Sequence, residues 1–243
     1  MSQTMQQIII TEPGGVDKLA YETVATPSPA NNEVLVQVHA FGLNRPDILQ
    51  RQGLYPMPKG VTPVPGLEVA GIVEAVGADV TAFKVGDKVC GLTNGGGYAE
   101  YCVVPESQTL AMPEGVSFIQ AAAIPETFYT VWANVFQMGR AQAGETVLIH
   151  GGTSGIGTTA LMLCNALGMK TFATVGSDEK VQAISALTTA INYKTQDFEQ
   201  VINEATDNAG VDVILDIVGA PYLAQTLNLL RRDGRLVYIA FLG

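Results

Sequence analysis

The stretch Thr146-Val147-Leu148-Ile149-His150-Gly151-Gly152-Thr153-Ser154-Gly155-Ile156-Gly157 decides the fold. A short apolar strand, Thr146–His150, runs into a cluster of glycines. An apolar helical segment, Thr158 to Leu167, follows and is closed by Gly168. Strand, tight turn and helix together make the element that seats a dinucleotide pyrophosphate on a helix N-terminus, where free N–H groups and the helix dipole favour negative charge. The glycines let the backbone approach the phosphates and let the helix pack closely on the strand. The element starts only after 145 residues of other sequence, which is room for a large leading domain.

Downstream of this turn, strands and helices alternate. Strands are expected at Lys170–Val175, Ala190–Asn192, Val211–Ile217 and Arg235–Phe241, and helices at Asp178–Leu187 and Tyr222–Leu230. Helices of this length between strands imply a parallel, doubly wound sheet. Upstream the chain is β-rich. Gln6–Ile10, Glu33–Ala40 and Val69–Val76 are strand-like, the second alternating over Val34, Val36 and Val38. Val85–Val89 and Gly97–Val104 continue the pattern, and Pro and Gly punctuate it heavily, as in a partly closed barrel or sandwich. The character turns helical from about Ser117, with Gln120–Ala123 and Thr127–Gln137. The expected division is 1–125 for a β-rich substrate domain and 126–243 for a dinucleotide-binding domain.

Composition limits the partners. The chain of 243 residues is 47% hydrophobic and 15% charged, and its net charge of -10 argues against nucleic acid or an anionic membrane surface. A local basic pocket for a phosphorylated cofactor is still compatible with that charge. No apolar run reaches membrane-span length, and from its polar start MSQTMQQ no signal peptide is expected. Cys90, Cys102 and Cys164 show no CxxC spacing, and are expected as reduced, buried thiols of a cytoplasmic protein. His39 and His150 are expected as packing histidines, and Cys164, on an apolar helix face, as core.

The glycine turn also opens many short-chain dehydrogenases, which pair it with Tyr-x-x-x-Lys on a helix. Tyr55-Pro56-Met57-Pro58-Lys59 matches those letters, but its two prolines forbid the helix that would bring Tyr and Lys onto one face. That reading fails.

With a β-rich domain ahead of the turn, the chain resembles the zinc-independent quinone oxidoreductases of the medium-chain dehydrogenase/reductase superfamily. The resemblance rests on Gly42-Leu43-Asn44-Arg45-Pro46-Asp47, Gly53-Leu54-Tyr55-Pro56, Pro65-Gly66-Leu67-Glu68-Val69-Ala70-Gly71, Gly86-Asp87-Lys88-Val89, Gly96-Gly97-Tyr98-Ala99-Glu100-Tyr101 and the turn itself, in the family's order. Ala121-Ala122-Ala123-Ile124-Pro125-Glu126 and Asn192-Tyr193-Lys194 look most like the p53-inducible type of these enzymes. The fold implied is α/β, with a GroES-like leading domain followed by a Rossmann sheet that stops short of the family's C-terminal end. Relatives continue past Gly243 with further strands and a return segment to the leading domain. The resemblance therefore implies a shortened chain with an open sheet edge, prone to self-association and to weaker cofactor binding than an extended one. The family's glycine after the helix ending near Leu187 is also missing.

Where zinc-dependent relatives carry a cysteine and a histidine, this chain has Asn44 and Leu67, and their four-cysteine lobe is absent. Glu68 alone cannot make a catalytic site that needs about three protein ligands. Without a Lewis acid, alcohol oxidation loses its means of stabilising an alkoxide, whereas reduction of an electrophilic quinone or activated alkene needs less help. By family position, Asn44 and Tyr55 face the nicotinamide and substrate. A loop-capping amide and a core-covering ring are the plain alternatives. Thr130 matches a threonine beside the nicotinamide. Gly152, Thr153, Ser154, Gly155, Ile156 and Gly157 form the pyrophosphate turn, and Val218 and Phe241 complete the implied cofactor contacts.

Cofactor choice follows from the end of the second nucleotide-domain strand. NAD enzymes place an acid there for the ribose 2′-hydroxyl. Here the strand ends in the neutral Gly176-Ser177, and Asp178 reads as a first-turn acid of the next helix. Lys180 and Tyr193 resemble positions that meet the 2′-phosphate, and an ammonium and a phenol suit that dianion. The expectation is an NADPH-dependent reductase of quinones or similar conjugated carbonyls. Cofactor would lie along the cleft between two domains, with catalysis mainly by proximity and with water or Tyr55 supplying the proton. The expected partner is a small molecule, in a cytoplasmic homo-oligomer, a dimer. Alternatives are an enoyl-thioester or alkenal reductase on the same scaffold, or an NADPH-binding sensor or structural protein with little turnover.

Overall fold

Alternation in Glu33–Phe41 sends Val34 and Val36 to one face and Leu35 to the other, and all three are buried. The computed structural model, which describes residues 4–240, explains why both faces are covered. The chain divides into two units, Met1–Glu126 and Thr127–Gly243.

In the first unit, β1 (Thr4–Ile10) and β2 (Leu19–Ala25) form an antiparallel ribbon. Strands β3 (Glu33–Phe41), β4 (Glu68–Val76), β5 (Lys88–Leu92), β6 (Tyr101–Pro105) and β7 (Thr109–Ala111) form an antiparallel sheet of order β6-β3-β4-β5-β7. Val34, Val36, Val69, Val73, Val89 and Val104 make one core, while Leu35 joins Met5 and Tyr101 on the opposite face. The helix α1 (Arg45–Arg51) follows β3, and α2 (Phe118–Ala121) follows β7.

Sequence periodicity did not announce β2, β7 or α1. Each is seven residues or fewer, too short for a period to declare itself; Pro near the start of α1 was the available signal. The strand expected over Val85–Val89 begins only at Lys88, because Gly86 turns the chain with φ +92°. Gly97 and Tyr98 lie outside β6, and their N–H groups donate to the carbonyls of Gly66 and Pro65.

Helix α3 (Pro125–Val131) carries the chain into the second unit and widens into a π-helical turn over Trp132–Met138, where the Gly139 N–H donates to the Asn134 carbonyl. Then come β8 (Thr146–His150), α4 (Gly155–Ala166), β9 (Lys170–Val175), α5 (Asp178–Ile184), β10 (Thr189–Asn192), α6 (Phe198–Ala205), β11 (Val211–Asp216), α7 (Leu223–Leu229) and β12 (Leu230–Tyr238). The sheet is parallel, in the order β10-β9-β8-β11-β12. Val147, Ile149, Ala173 and Leu215 pack with Ala160, Leu161 and Cys164 of α4 on one face. Leu148, Phe172 and Ile214 pack with Phe198 and Ile202 of α6 on the other. That two-sided burial is why these strands read as continuous apolar runs.

Several boundaries differ from the sequence reading. Helix α4 starts at Gly155, inside the glycine cluster, because Ser154 caps it. Helix α5 stops at Ile184 rather than Leu187, and the Ser185 hydroxyl donates back to the Gln182 carbonyl at that point. Helix α7 covers Leu223–Leu229, one residue inside the expected span at each end. Strand β12 covers Leu230–Tyr238 rather than Arg235–Phe241. It meets Val211 at Leu230, kinks where Asp233 takes φ +65°, and resumes pairing at Arg235. Helix α6 was missed, although Asp197 caps it by accepting from the Glu199 and Gln200 N–H groups. Phe241 lies outside the described residues.

Candidate cofactor and acceptor sites

In the second unit the chain runs β8, β9, β10 to one side of β8 and then crosses to β11 and β12 on the other. The carboxyl end of β8 is therefore a topological switch point, where open α/β sheets bind ligands. The glycine turn sits there. Gly151 and Gly152 donate their N–H groups to the Thr174 carbonyl, locking the turn to β9. The Ser154 hydroxyl donates to the Gly151 carbonyl at 2.8 Å and accepts from the Gly157 N–H at 2.9 Å. A Cβ on Gly157 would run into the Gly151 carbonyl and come within 2.8 Å of the Gly152 Cα, so only glycine lets the helix start so close to the turn. With Gly157 satisfied by Ser154, the N–H groups of Gly155 and Ile156 have no partner among the described residues. Two free donors at the start of a twelve-residue helix fit a pyrophosphate.

The other expected cofactor residues among the described ones lie on α3, at the start of α5, just after β10 and in the loop after β11. A Cβ on Gly155 would meet Thr127 at 3.3 Å, so α3, which bears the half-buried Thr130, runs beside the start of α4. Ser177 caps α5 by accepting from the Lys180 N–H. Asp178 is occupied by the Asn192 amide, which donates to it at 2.6 Å. The Lys180 side chain is exposed, with no partner for its ammonium among the described residues. Tyr193 covers Gly176. Val218 is in the loop after β11, with its N–H donating to Asp216 at 2.6 Å.

Sequence reasoning missed what holds that loop. Asp216 is fully buried at the end of β11, and one of its oxygens accepts from both Val218 and Gly219. His150 is buried beside it, its Nδ1 at 2.9 Å from the Thr174 hydroxyl and its ring against Phe198 and Tyr222. Burial drives the His150 pKa well below its ordinary value, against the opposing pull of Asp216. An acid closing an otherwise apolar strand was the available signal.

In the first unit, Asn44 stands just before α1. Its N–H donates to Asp47 at 2.8 Å, and its side-chain amide nitrogen donates to Glu68 Oε1 at 2.8 Å. The other Glu68 oxygen accepts from the Glu126 N–H at 2.8 Å. Glu68 is 3% exposed, and Gly42 is glycine because any Cβ there would strike that carboxylate. Burial raises the pKa of Glu68, and hydrogen bonds from Asn44 and Glu126 oppose the rise. Asp47, also buried, accepts from Gly66 and from the Tyr98 hydroxyl, which ties α1 to the neighbouring loops. Leu43, Ile48, Leu54 and Tyr55, which flank Asn44 in the chain, are all exposed. Among the described residues Tyr55 has no hydrogen-bond partner, and so none to Asn44. The three cysteines are free and buried, and burial pushes Cys90 up to about 11 and Cys102 and Cys164 to about 12, so they remain protonated thiols.

Residues 30–114 match the family described as "Alcohol dehydrogenase GroES-like domain", and residues 155–243 match "Zinc-binding dehydrogenase". The quinone oxidoreductase of Rattus norvegicus is 35% identical over 98% of this chain and 74% of its own length. The synaptic vesicle membrane protein VAT-1 homolog of Danio rerio is 35% identical over 96% of this chain and 49% of its own length. Among solved structures, the quinone oxidoreductase of Pseudomonas syringae pv. Tomato DC3000 superimposes with a TM-score of 0.86 at 35% identity, covering 98% of this chain and 74% of that one. CurK enoyl reductase gives 0.89 at 32% identity, covering 99% and 75%.

A catalytic zinc needs about three protein ligands and an open position. No three His, Cys, Asp or Glu side chains come together among the described residues, and both oxygens of Glu68 are occupied by N–H donors. Among the described residues, those present do not assemble a catalytic zinc site. Nor is any helix long and apolar enough to cross a membrane among the described residues. A GroES-like first unit, a Rossmann-like parallel sheet with its glycine turn at the switch point, and 35% identity across nearly the whole chain lead to one conclusion: the chain belongs to the quinone oxidoreductases of the medium-chain dehydrogenase/reductase superfamily, and is an oxidoreductase.

Proposed function

We propose that this oxidoreductase uses NADPH to reduce quinones or similar conjugated carbonyls without zinc. The observation that carries the cofactor choice is the end of β9. Gly176 and Ser177 are neutral, one oxygen of the nearest acid, Asp178, is held by Asn192, and the ammonium of Lys180 has no partner among the described residues. No acid stands at the end of the strand itself, where a ribose 2′-hydroxyl would be held, and a cation and the Tyr193 phenol are available for a 2′-phosphate. Gly152, Thr153, Ser154, Gly155, Ile156 and Gly157 would hold the pyrophosphate, and Thr130, Val218 and Phe241 would contact the rest of the cofactor. When bound, NADPH supplies a hydride.

The residues of the chain then bind, orient and shield. Asn44 hydrogen-bonds the acceptor oxygen, which gains negative charge as the acceptor is reduced. The exposed apolar side chains Leu43, Ile48, Leu54 and Tyr55 suit a flat, apolar acceptor. Water or the Tyr55 hydroxyl provides the proton, so that quinone, hydride and proton give hydroquinone. With no Lewis acid, an acceptor that is already electrophilic is the fitting substrate. The reading includes a cytoplasmic homodimer.

The similarity to CurK enoyl reductase favours a second reading, reduction of an enoyl thioester or alkenal on the same scaffold. A panel of acceptors at fixed NADPH separates the two. Faster turnover of a simple benzoquinone than of an enoyl thioester supports the first reading, and the reverse order the second. Tight NADPH binding without turnover of any acceptor would make the chain a binding protein instead.

A further inference from the structure

We propose that Glu68 is a positioning residue that pins the Asn44 amide in one orientation, so that Asn44 offers its ligand one N–H and its carbonyl oxygen, a pair suited to a carbonyl that becomes a hydroxyl. The proposal rests on the reading above, in which Asn44 meets the acceptor.

An ionised carboxylate only accepts hydrogen bonds, so only the amide nitrogen of Asn44 can face Glu68 Oε1 at 2.8 Å. The second carboxylate oxygen is committed to the Glu126 N–H, a backbone donor with no alternative orientation. The Asn44 main chain is anchored by Asp47, which removes the remaining freedom of the residue. Gly42 leaves the carboxylate its place. Asn44 is left with one Nδ2 hydrogen, which has no partner among the described residues, and with Oδ1, which faces the Asp47 N–H across the first turn of α1 and keeps a second lone pair for a ligand. The N–H can donate to a quinone oxygen. After reduction that oxygen bears a proton, which Oδ1 can accept.

The substitution Glu68→Gln tests this because its outcome is dictated by the same counting. Glutamine brings one acceptor oxygen and one NH2 group. The Glu126 N–H demands the oxygen, so the NH2 group faces Asn44 and forces its amide to invert. Asn44 would then present only N–H donors outward.

Two measurements decide. In wild-type protein labelled with 15N-asparagine, the Asn44 side chain, identified by its loss in Asn44→Ser, should show one downfield, slowly exchanging proton. Two protons with the shifts and exchange of a solvent-exposed amide would overturn the proposal. That result needs no Glu68 variant, so a misfolded Glu68→Gln protein does not affect it. In folded Glu68→Gln, product inhibition by hydroquinone should weaken about tenfold, the scale of one lost hydrogen bond. The KM for quinone should stay within about twofold, since an N–H donor still faces the quinone. Unchanged hydroquinone inhibition would overturn the proposal. If the wild-type chain turns over no quinone, the acceptor assignment fails, while the labelled spectrum still decides whether Glu68 pins Asn44.

Discussion

Tyr193 stands over Gly176 so closely that a Cβ on the glycine would come within 2.9 Å of the phenol oxygen. The end of β9, the phenol and the first turn of α5 therefore share one small region, with Lys180 at its exposed side. Replacing Lys180 by Ala is expected to weaken NADPH binding by about 1–3 kcal/mol, the scale of a charge-assisted hydrogen bond, and to leave NADH binding nearly unchanged. Titration of both cofactors into both proteins checks this. Equal losses for the two cofactors would remove Lys180 from the 2′-phosphate.

The turn itself separates two glycines that look alike in sequence. Gly157→Ala places its methyl against the backbone of Gly151 and Gly152, which cannot yield, whereas Gly155→Ala meets only the end of Thr127 at 3.3 Å. Overpacking of this kind costs about 1–3 kcal/mol. Denaturant unfolding should show that loss for Gly157→Ala and little change for Gly155→Ala.

Glu145 and Arg235 form a two-pronged ion pair, with N–O distances of 2.9 and 2.7 Å, and the same guanidinium donates to the carbonyls of Gly139 and Arg140. Hydrogen bonding from Arg235 holds the Glu145 carboxyl below its usual pKa. A depressed carboxylate stabilises the fold above its unfolded pKa, and that stabilisation is lost as pH falls through the lower folded value. Glu145→Gln should therefore cost about 1 kcal/mol at neutral pH, a modest figure for a partly exposed pair. The difference from wild type should shrink as pH drops below about 4.5.

His150 behaves differently. Burial favours its neutral form, so the unfolded chain takes up a proton near pH 6.5 while the folded chain resists. Its contribution to stability is fully present above about pH 6.5 and is lost as pH falls below that value toward the lower folded pKa. Denaturant midpoints measured across mildly acidic pH should fall for wild type and fall less steeply for His150→Gln. Parallel profiles would show that His150 does not titrate on unfolding.

Much of this architecture was legible in the sequence, for reasons particular to certain segments. The parallel strands β8, β9 and β11 are buried on both faces, so their apolar runs stand out, and the glycine turn between β8 and α4 has a fixed steric purpose. Short elements such as α1 and β7 carry no period, and α6 was hidden because its polar face outweighs its two buried residues, Phe198 and Ile202. At the site, Asn44, Lys180 and Tyr193 could be named from their place in motifs. Glu68 and Asp47 could not be given roles, because what they do depends on donors far along the chain, Glu126 for Glu68 and Gly66 and Tyr98 for Asp47, and the role of Asp216 depends on how the loop after β11 turns back to it. A buried acid in an apolar segment is visible in sequence; its partners are not.

The central claim is that this chain passes hydride from NADPH, in preference to NADH, to a quinone. The most direct test is steady-state oxidation of each nicotinamide cofactor by the purified chain, with and without benzoquinone, in the presence of a zinc chelator. The account predicts quinone-dependent oxidation of NADPH that exceeds that of NADH at equal concentration and is unaffected by chelation. Oxidation that is equal for the two cofactors, independent of quinone, or abolished by the chelator would contradict it.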